Sequence, residues 1–467
     1  MLTPGVLRGW LVVACLLLGT SALQAATYYV SVGGYGDTPN NSNSCTTAQT
    51  ITTPKRNIQG ATGGLPCLAA GDTLMIRGGT YAENIDSRAQ ALANGTSYAN
   101  AVTIRNYQSE TVWITGSIAM FGVTRQYIIL DGINVDGTGY TVLDNSLAFV
   151  GDGAHHIRFA NGIYKNGPHV GLQCAFGGGA NLPHDLHFTN LEVMGMGSVN
   201  VNPAYGPGWQ HGFYLSCPDT LVEYSHIHDN SGNGGKFFET GTTTQPARGI
   251  LRYNNLHDNC LGQPVTNAGW YLSGNDNQAY GNIFANHRHT AIGVTGNPSN
   301  VQVWNNIIYG TTHYAITVTD GTDGTQIYNN TIANNSHYGI FLGDNSGVVT
   351  GTLVKNNILW NNGNGTTDNF FLNGGLVSGT IGASNLCNTA SPAGLCTHTG
   401  NPNVVNEAGR NYHLQASSTA VINQGVTLAL VPDDFDLIVR PQGAAYDIGA
   451  YEFGAALAPP TNLRVLR

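Results

Sequence analysis

The sequence predicts an all-β fold, a right-handed parallel β-helix in which short coils stack into a solenoid, and three observations carry that prediction. The first is a phrase that returns: FTNLEV (188–193), YSHIHDN (224–230), YNNLHDN (253–259), YGNIFAN (280–286), WNNIIYG (304–310), YNNTIAN (328–334) and KNNILWN (355–361) are variants of one unit. With the residue before the first apolar one as a marker, Asn190, His226, Asn255, Asn282, Asn306, Asn330 and Asn357 lie 36, 29, 27, 24, 24 and 27 residues apart. A unit this short cannot bury its own apolar face, so the copies must stack. The second is another phrase in step with it: HGFYLS (211–216), GGKFFE (234–239), AGWYLS (268–273), TAIGVT (290–295), YAITVT (314–319) and YGIFLG (338–343). Each period therefore holds at least two short strands, rich in β-branched and aromatic residues and bounded by Asn, Gly, Asp and Ser turns. The third is composition: 62 glycines with only 10% charged residues reads as turn-rich β structure rather than disorder.

Taken in chain order, residues 1–26 read as a secretory signal. Arg8 precedes an apolar run from Trp10 to Gly19, and small residues follow at Ala22, Ala25 and Ala26. That run is too short to span a membrane, so an exported chain with no membrane span is expected, secreted or held at the cell surface. Residues 27–95 form an N-terminal cap and first coils, 96–365 the β-helix proper, 366–453 a C-terminal coil and capping segment, and 454–467 a Pro-containing, linker-like tail. A solenoid grows by adding coils, so the length of 467 residues calls for one long domain, expected to be a monomer. The net charge of −9 argues against nucleic acid as a partner. Seven cysteines follow the signal; Cys45 with Cys67 and Cys387 with Cys396 are the natural loop staples, and Cys174, Cys217 and Cys260 leave one thiol over.

Inside the repeats, Asn254, Asn305, Asn329 and Asn356 align at a bend, where asparagine tolerates left-handed backbone and bonds to the next coil. They are expected to form a structural ladder. His289, His313 and His337 align 24 residues apart and are expected to stack.

Two segments carry resemblances. TYYVSVGGYGDT, a Cys-bracketed stretch and LAAGDTLMIRGGTYAENI resemble the N-terminal cap of secreted β-helix proteins of the pectate-lyase-like superfamily. YHLQASSTAVINQG (412–425), DDFD (433–436) and RPQGAAYDIGAYEF (440–453) resemble the C-terminal segment of bacterial β-helix proteins of the choice-of-anchor Q group, and a cap over the last apolar edge is expected of it. These resemblances imply fold and export, while function must come from a site.

Basic residues are scarce enough to inform. Between Lys165 and Lys355 only Lys236, Arg248, Arg252 and Arg288 are positive. β-Elimination of an acidic polysaccharide needs a base beside the uronate carboxylate and a cation to neutralise the charge that develops. Lys236 is the expected base and Arg248 the expected neutraliser, with His211 as an auxiliary acid or binding group. NGGKFFETG (233–241) resembles the NGGE-type strand of alginate and chondroitin-B lyases but has Lys where those have Glu, so no calcium ligand carries over. Calcium stays open as a cofactor, without assigned ligands.

Aligning GGKFFE with HGFYLS puts Lys236 in a column with Phe213, Trp270, Ile292, Ile316 and Ile340; a shift of one residue would instead face it to solvent. Tyr205, Trp209, Tyr214 and Trp270 are candidate sugar-binding aromatics, equally ordinary as coil packing. Arg252, in register with Glu223, reads as an ion pair or a substrate contact. His228 and His257, repeated within HDN, read as turn residues or substrate contacts, and Arg288 completes the candidate binding set. A polysaccharide lyase acting on a uronate polymer is the expected function. A non-catalytic carbohydrate-binding or adhesin-like surface protein is the alternative. A hydrolase or epimerase ranks below both, since the one DD pair, Asp433 and Asp434, lies outside the coils.

Overall fold

In the computed structural model, residues 25–454 are described apart from 91, 141–145, 176–180, 200, 202–205, 207, 239–247, 263–266, 345, 364–368 and 389–393. The predicted signal falls almost wholly outside the described residues, as do Tyr205, residues 240–247 and most of the terminal tail. Among the described residues no helix is long and apolar enough to cross a membrane; the helical pieces are three-residue turns such as Thr47–Gln49 and Leu65–Cys67.

The coils build three parallel sheets. The first sheet runs through 13 strands from Thr27–Val30 to Ile381–Ala383, the second through 13 from Gly79–Tyr81 to His398–Thr399, and the third through 11 from Ile85–Asp86 to Phe370–Leu372. Most strands in the later coils are three residues long, and alternation decides what each presents. In the first and second sheets the middle residue points inward, as with Val222, Leu251, Val303 and Ile327, or Ile227, Leu256, Ile308 and Ile332. In the third sheet the flanking residues point inward, as with Ile292 and Val294, or Ile316 and Val318. One apolar column therefore continues along the axis from Tyr28 to Cys396.

The recurring phrase is a corner rather than a strand. In LVEYSHIH, Leu221–Glu223 ends in the first sheet, Tyr224 turns at φ 51°, Ser225 is buried, and His226–His228 opens the second sheet. The left-handed position is taken in later coils by Tyr253, Gly281, Asn305, Asn329 and Asn356. The ladder lies one residue further on. Asn254, Asn282, Asn306, Asn330, Asn357 and Asn385 are buried, and each side-chain oxygen accepts the backbone N–H of the ladder residue in the preceding coil at 2.9–3.0 Å, beginning with Ser225. Only Asn254 of the four expected ladder residues belongs to it. The other three use their turn position differently: Asn305 donates to the Asp433 carbonyl, Asn329 to those of Asp447 and Gly449, and Asn356 to that of Val426.

Those bonds show where the C-terminal segment goes. Tyr412, Val421, Phe435, Ile448 and Tyr451 pack on the outward residues Ile307, Ala333, Ile358 and Leu386 of the second sheet, while Leu428, Val431 and Tyr446 cover Trp304 and Tyr328 of the first. The expected end cap is instead a strap along the flank, because these coils carry apolar side chains outside as well as inside. The strap is locked by Arg440, fully buried against Glu452 and donating to the Gly449 carbonyl at 2.9 Å. The end of the core is filled by Leu395 and Cys396, beside the Cys387–Cys396 disulfide. Cys45 pairs with Cys67 and Cys174 with Cys217, leaving Cys260 buried and free.

Candidate functional site

The outward column of the third sheet reads Phe149, Gln173, Tyr214, Lys236, Tyr271, Gly293, Thr317, Phe341 and Phe371. Lys236 thus faces out, one residue away from the apolar column in which the repeat alignment set it; Gly235 takes that inner position opposite Trp270. The reason is steric. A Cβ on Gly235 would come within 2.1 Å of the Trp270 ring, so the indole fills the core space of both coils. Trp270 is fully buried and touches no solvent, which removes it from the sugar-binding set.

Although it faces outward, Lys236 is only 7% exposed. Its ammonium lies 4.2 Å from the Tyr214 ring centre and 4.4 Å from that of Phe238, and the two rings meet edge to face at 5.5 Å. Among the described residues no carboxylate pairs with it. Burial without a counter-charge favours the neutral amine and lowers the Lys236 pKa from 10.5 to about 8. On the next coil the Tyr271 ring lies across Gly293, where a Cβ would sit 2.3 Å from the ring. That glycine gives Tyr271 room to lie flat along the column.

His211 stands at the corner just before this sheet, 3% exposed. Its Nδ1 accepts the backbone N–H of Asn233 at 2.9 Å, and its ring centre is 6.0 Å from that of Tyr214. Burial, then Lys236 and His169, hold its pKa well below the ordinary value. The ring is neutral and carries its proton on Nε2, a buried donor without a partner among the described residues. A neutral imidazole donates a hydrogen bond and is no proton source, so the acid role expected of His211 falls to its binding role. Trp209, 51% exposed, follows Gly208, whose carbonyl accepts from Asn267 at 3.1 Å and so ties this loop over the same coils.

The remaining expected residues lie elsewhere. Arg248, with its side chain 59% exposed, holds Asp219 through Nε at 2.6 Å and Nη2 at 2.7 Å. It lines a separate groove of about 420 Å³ with Asp219, Ile250, Asp276 and Gln278. It does not join Lys236, because the corner between the third and first sheets separates them. Arg252 is on the outer face of the first sheet, donating to Glu223 at 2.7 Å and to the Tyr280 hydroxyl at 3.2 Å; the ion-pair reading holds there. Arg288 is exposed at the corner between the second and third sheets. His228 and His257 are on the second sheet, adjacent in register. His289, His313 and His337 form one column, in which the first pair stacks at 4.4 Å between ring centres and the second meets tilted at 5.1 Å. Phe238, which walls in Lys236, and Tyr271, its register partner in the next coil, were missed; the alternation of outward residues along the strand was the signal that could have found them. Calcium takes hard oxygen ligands, and among the described residues no three carboxylates converge.

A second cavity, of about 470 Å³, opens at the corner of the first and second sheets, lined by Glu192, Tyr224, His226, Tyr253, Asn255 and Tyr309 and closed at one side by Phe435 of the strap.

A family model described as right handed beta helix region matches residues 211–380. No curated protein matches the chain. Among solved structures it is similar to pectate lyase Pel9A, at 15% identity and TM-score 0.58, over 91% of this chain and 96% of that one. It is similar to the PL6 family alginate lyase AlyGC at 15% identity and TM-score 0.51, over 79% of this chain and 58% of that one. A third likeness is to the PL6 family polysaccharide lyase Pedsa3628 from Pseudopedobacter saltans, at 14% identity and TM-score 0.50, over 82% and 95%. At such identities the likeness is one of fold: the chain is a right-handed parallel β-helix.

Proposed function

We propose that this protein is a secreted lyase that cleaves a uronate-containing extracellular polysaccharide by β-elimination at the outer face of the third sheet. The observation that carries this reading is a lysine on a sheet face, buried among aromatic rings with no carboxylate partner among the described residues. Such a lysine costs stability and suits one task, which is taking a proton near neutral pH. In the proposed reaction the neutral amine of Lys236 removes the proton on the carbon bearing the uronate carboxylate. The electron pair forms a double bond to the neighbouring ring carbon, the glycosidic C–O bond breaks, and the departing oxygen takes a proton from water. In this scheme the Nε2–H of His211, without a partner among the described residues, donates to the carboxylate as charge develops there. Arg248 is left out of the scheme because Asp219 holds its guanidinium. Tyr214 and Tyr271 supply ring surface for sugar faces. The names of the similar structures, a pectate lyase and an alginate lyase, are in keeping with this substrate class.

A non-catalytic binding surface is the second reading, favoured by the stacked row of Tyr314, Phe341 and Phe371 further along the same face, with ring centres 4.6 and 4.8 Å apart. The test is the ultraviolet absorbance of the unsaturated product on pectate, alginate, chondroitin and hyaluronan, with and without calcium. A rise that falls by a factor of about 10²–10⁴ in Lys236→Ala supports the lyase. No rise on any polymer, with affinity for one of them retained, establishes the binding reading instead.

A further inference from the structure

Three histidines gather on the second sheet, away from Lys236. His226 and His228 lie two apart on one strand, so both side chains leave the same face, and His257 stands beside His228 in the next coil. The ring centres are 4.1, 4.7 and 4.9 Å apart, and one nitrogen from each ring lies within 4.8 Å of the others. In the coil before, Glu192 is the register partner of His226.

The hydrogen-bond partners decide what this cluster is for. Asp229 Oδ2 lies 2.8 Å from His228 Nδ1, and Asp258 Oδ2 lies 2.7 Å from His257 Nδ1. A carboxylate only accepts, so both Nδ1 atoms carry the hydrogen, and Nε2 is the atom of each ring that can offer a lone pair to a ligand. A carboxylate on the far nitrogen of an imidazole is the arrangement that orients a metal-ligating histidine. These nitrogens converge: His228 Nε2 lies 3.3 Å from Glu192 Oε1, and His257 Nε2 lies 2.5 Å from His226 Nε2, which in its Nε2–H tautomer donates to it. A single cation among the four atoms takes a lone pair from each of them, whereas each hydrogen bond joins only one pair.

We propose that His226, His228, His257 and Glu192 form a binding site for a first-row divalent metal ion of the zinc class, held by three imidazole nitrogens and one carboxylate oxygen. Imidazole donors select zinc, nickel or copper over calcium and magnesium, and three nitrogens with one oxygen suit tetrahedral zinc. Ligand bonds of about 2.0–2.1 Å set neighbouring donors about 3.3 Å apart, so His226 and His257 have only to part by about 1 Å. Glu192 and His226 also line the 470 Å³ cavity, which gives the ion access from solvent and a wall on which to meet a ligand. The ion would join three successive coils, those of Glu192, of His226 with His228, and of His257. This site is independent of the Lys236 chemistry and stands or falls without it.

The test takes the full mature protein, stripped with a chelator and titrated calorimetrically with Zn²⁺. One ion per chain is expected, with affinity weakened at least about tenfold in His226→Ala and in His257→Ala and unchanged in His313→Ala, which alters the other histidine column. Absence of binding, or binding as tight in His226→Ala and His257→Ala as in the parent, overturns the proposal. Should those variants fail to fold, Co²⁺ in the unaltered protein decides. Intense visible bands of a tetrahedral nitrogen-rich site support the assignment, and the weak bands of an octahedral ion overturn it.

Discussion

The outer face of the third sheet changes character halfway along the solenoid. In the coils from Gln173 to Tyr271 the outward column is polar and charged, with a buried lysine between two tyrosines; from Thr317 to Phe371 it becomes hydroxyl and stacked phenyl rings. The inward columns on the same strands hardly differ: Phe213 and Leu215 in one half, Ile316 and Val318 in the other. The repeat therefore constrains the core and leaves the outer positions free, and chemistry is to be sought where the outer column departs from the repeat.

The largest expected effect comes from removing that departure. Lys236 is protonated in the unfolded chain below about pH 10.5, but the fold holds it at about 8, so below pH 8 folding must keep a charge against burial. The cost at neutral pH is about 3 kcal/mol, and stability is recovered as pH rises from about 8 to 10.5. Lys236→Met should abolish turnover and yet raise the melting temperature at pH 7, and the difference from the parent should vanish near pH 10.5. A melting temperature lowered at pH 7 would mean that the lysine is a packing residue like those in the other half. Phe341→Ala tests that other half. Its ring stacks between Tyr314 and Phe371, so its loss should cost about 1–2 kcal/mol in denaturant unfolding and leave turnover unchanged. Lost turnover with an intact fold would extend the site along the whole face.

How much of this could be read in the chain depended on whether the information was local. The coils were legible because Ile292, Ile316 and Ile340 recur at one spacing. The ladder was misplaced by one residue because paired asparagines such as Asn305 and Asn306 suit either the left-handed turn or the buried rung, and only the stacked coil decides between them. The same one-residue ambiguity misplaced Lys236: two glycines precede it, and nothing local says that Trp270, 34 residues later, occupies the space of one of them. The strap was illegible for a different reason. Its contacts, such as Asn329 with Asp447, span more than a hundred residues, and the DDFD and RPQGAAYDIGAYEF strings encode its internal locks rather than its destination. The histidine cluster was legible in principle, since HIH on a strand puts two imidazoles on one face and HDN in the next coil brings a third.

The smallest effect tests what holds Lys236 where it is. Burial is the one cause of its lowered pKa, and Tyr214 supplies that burial with its ring, which lies 4.2 Å from the ammonium. The phenol oxygen has no part in this account. Tyr214→Phe keeps the ring and removes only the hydroxyl, so stability should change by less than about 0.5 kcal/mol and turnover should still rise through a midpoint of about pH 8. A midpoint displaced toward 10.5 would show that the hydroxyl, and not the dry aromatic wall, sets the state of the amine. The two halves of the face would then differ by one hydrogen-bonding group rather than by their access to water.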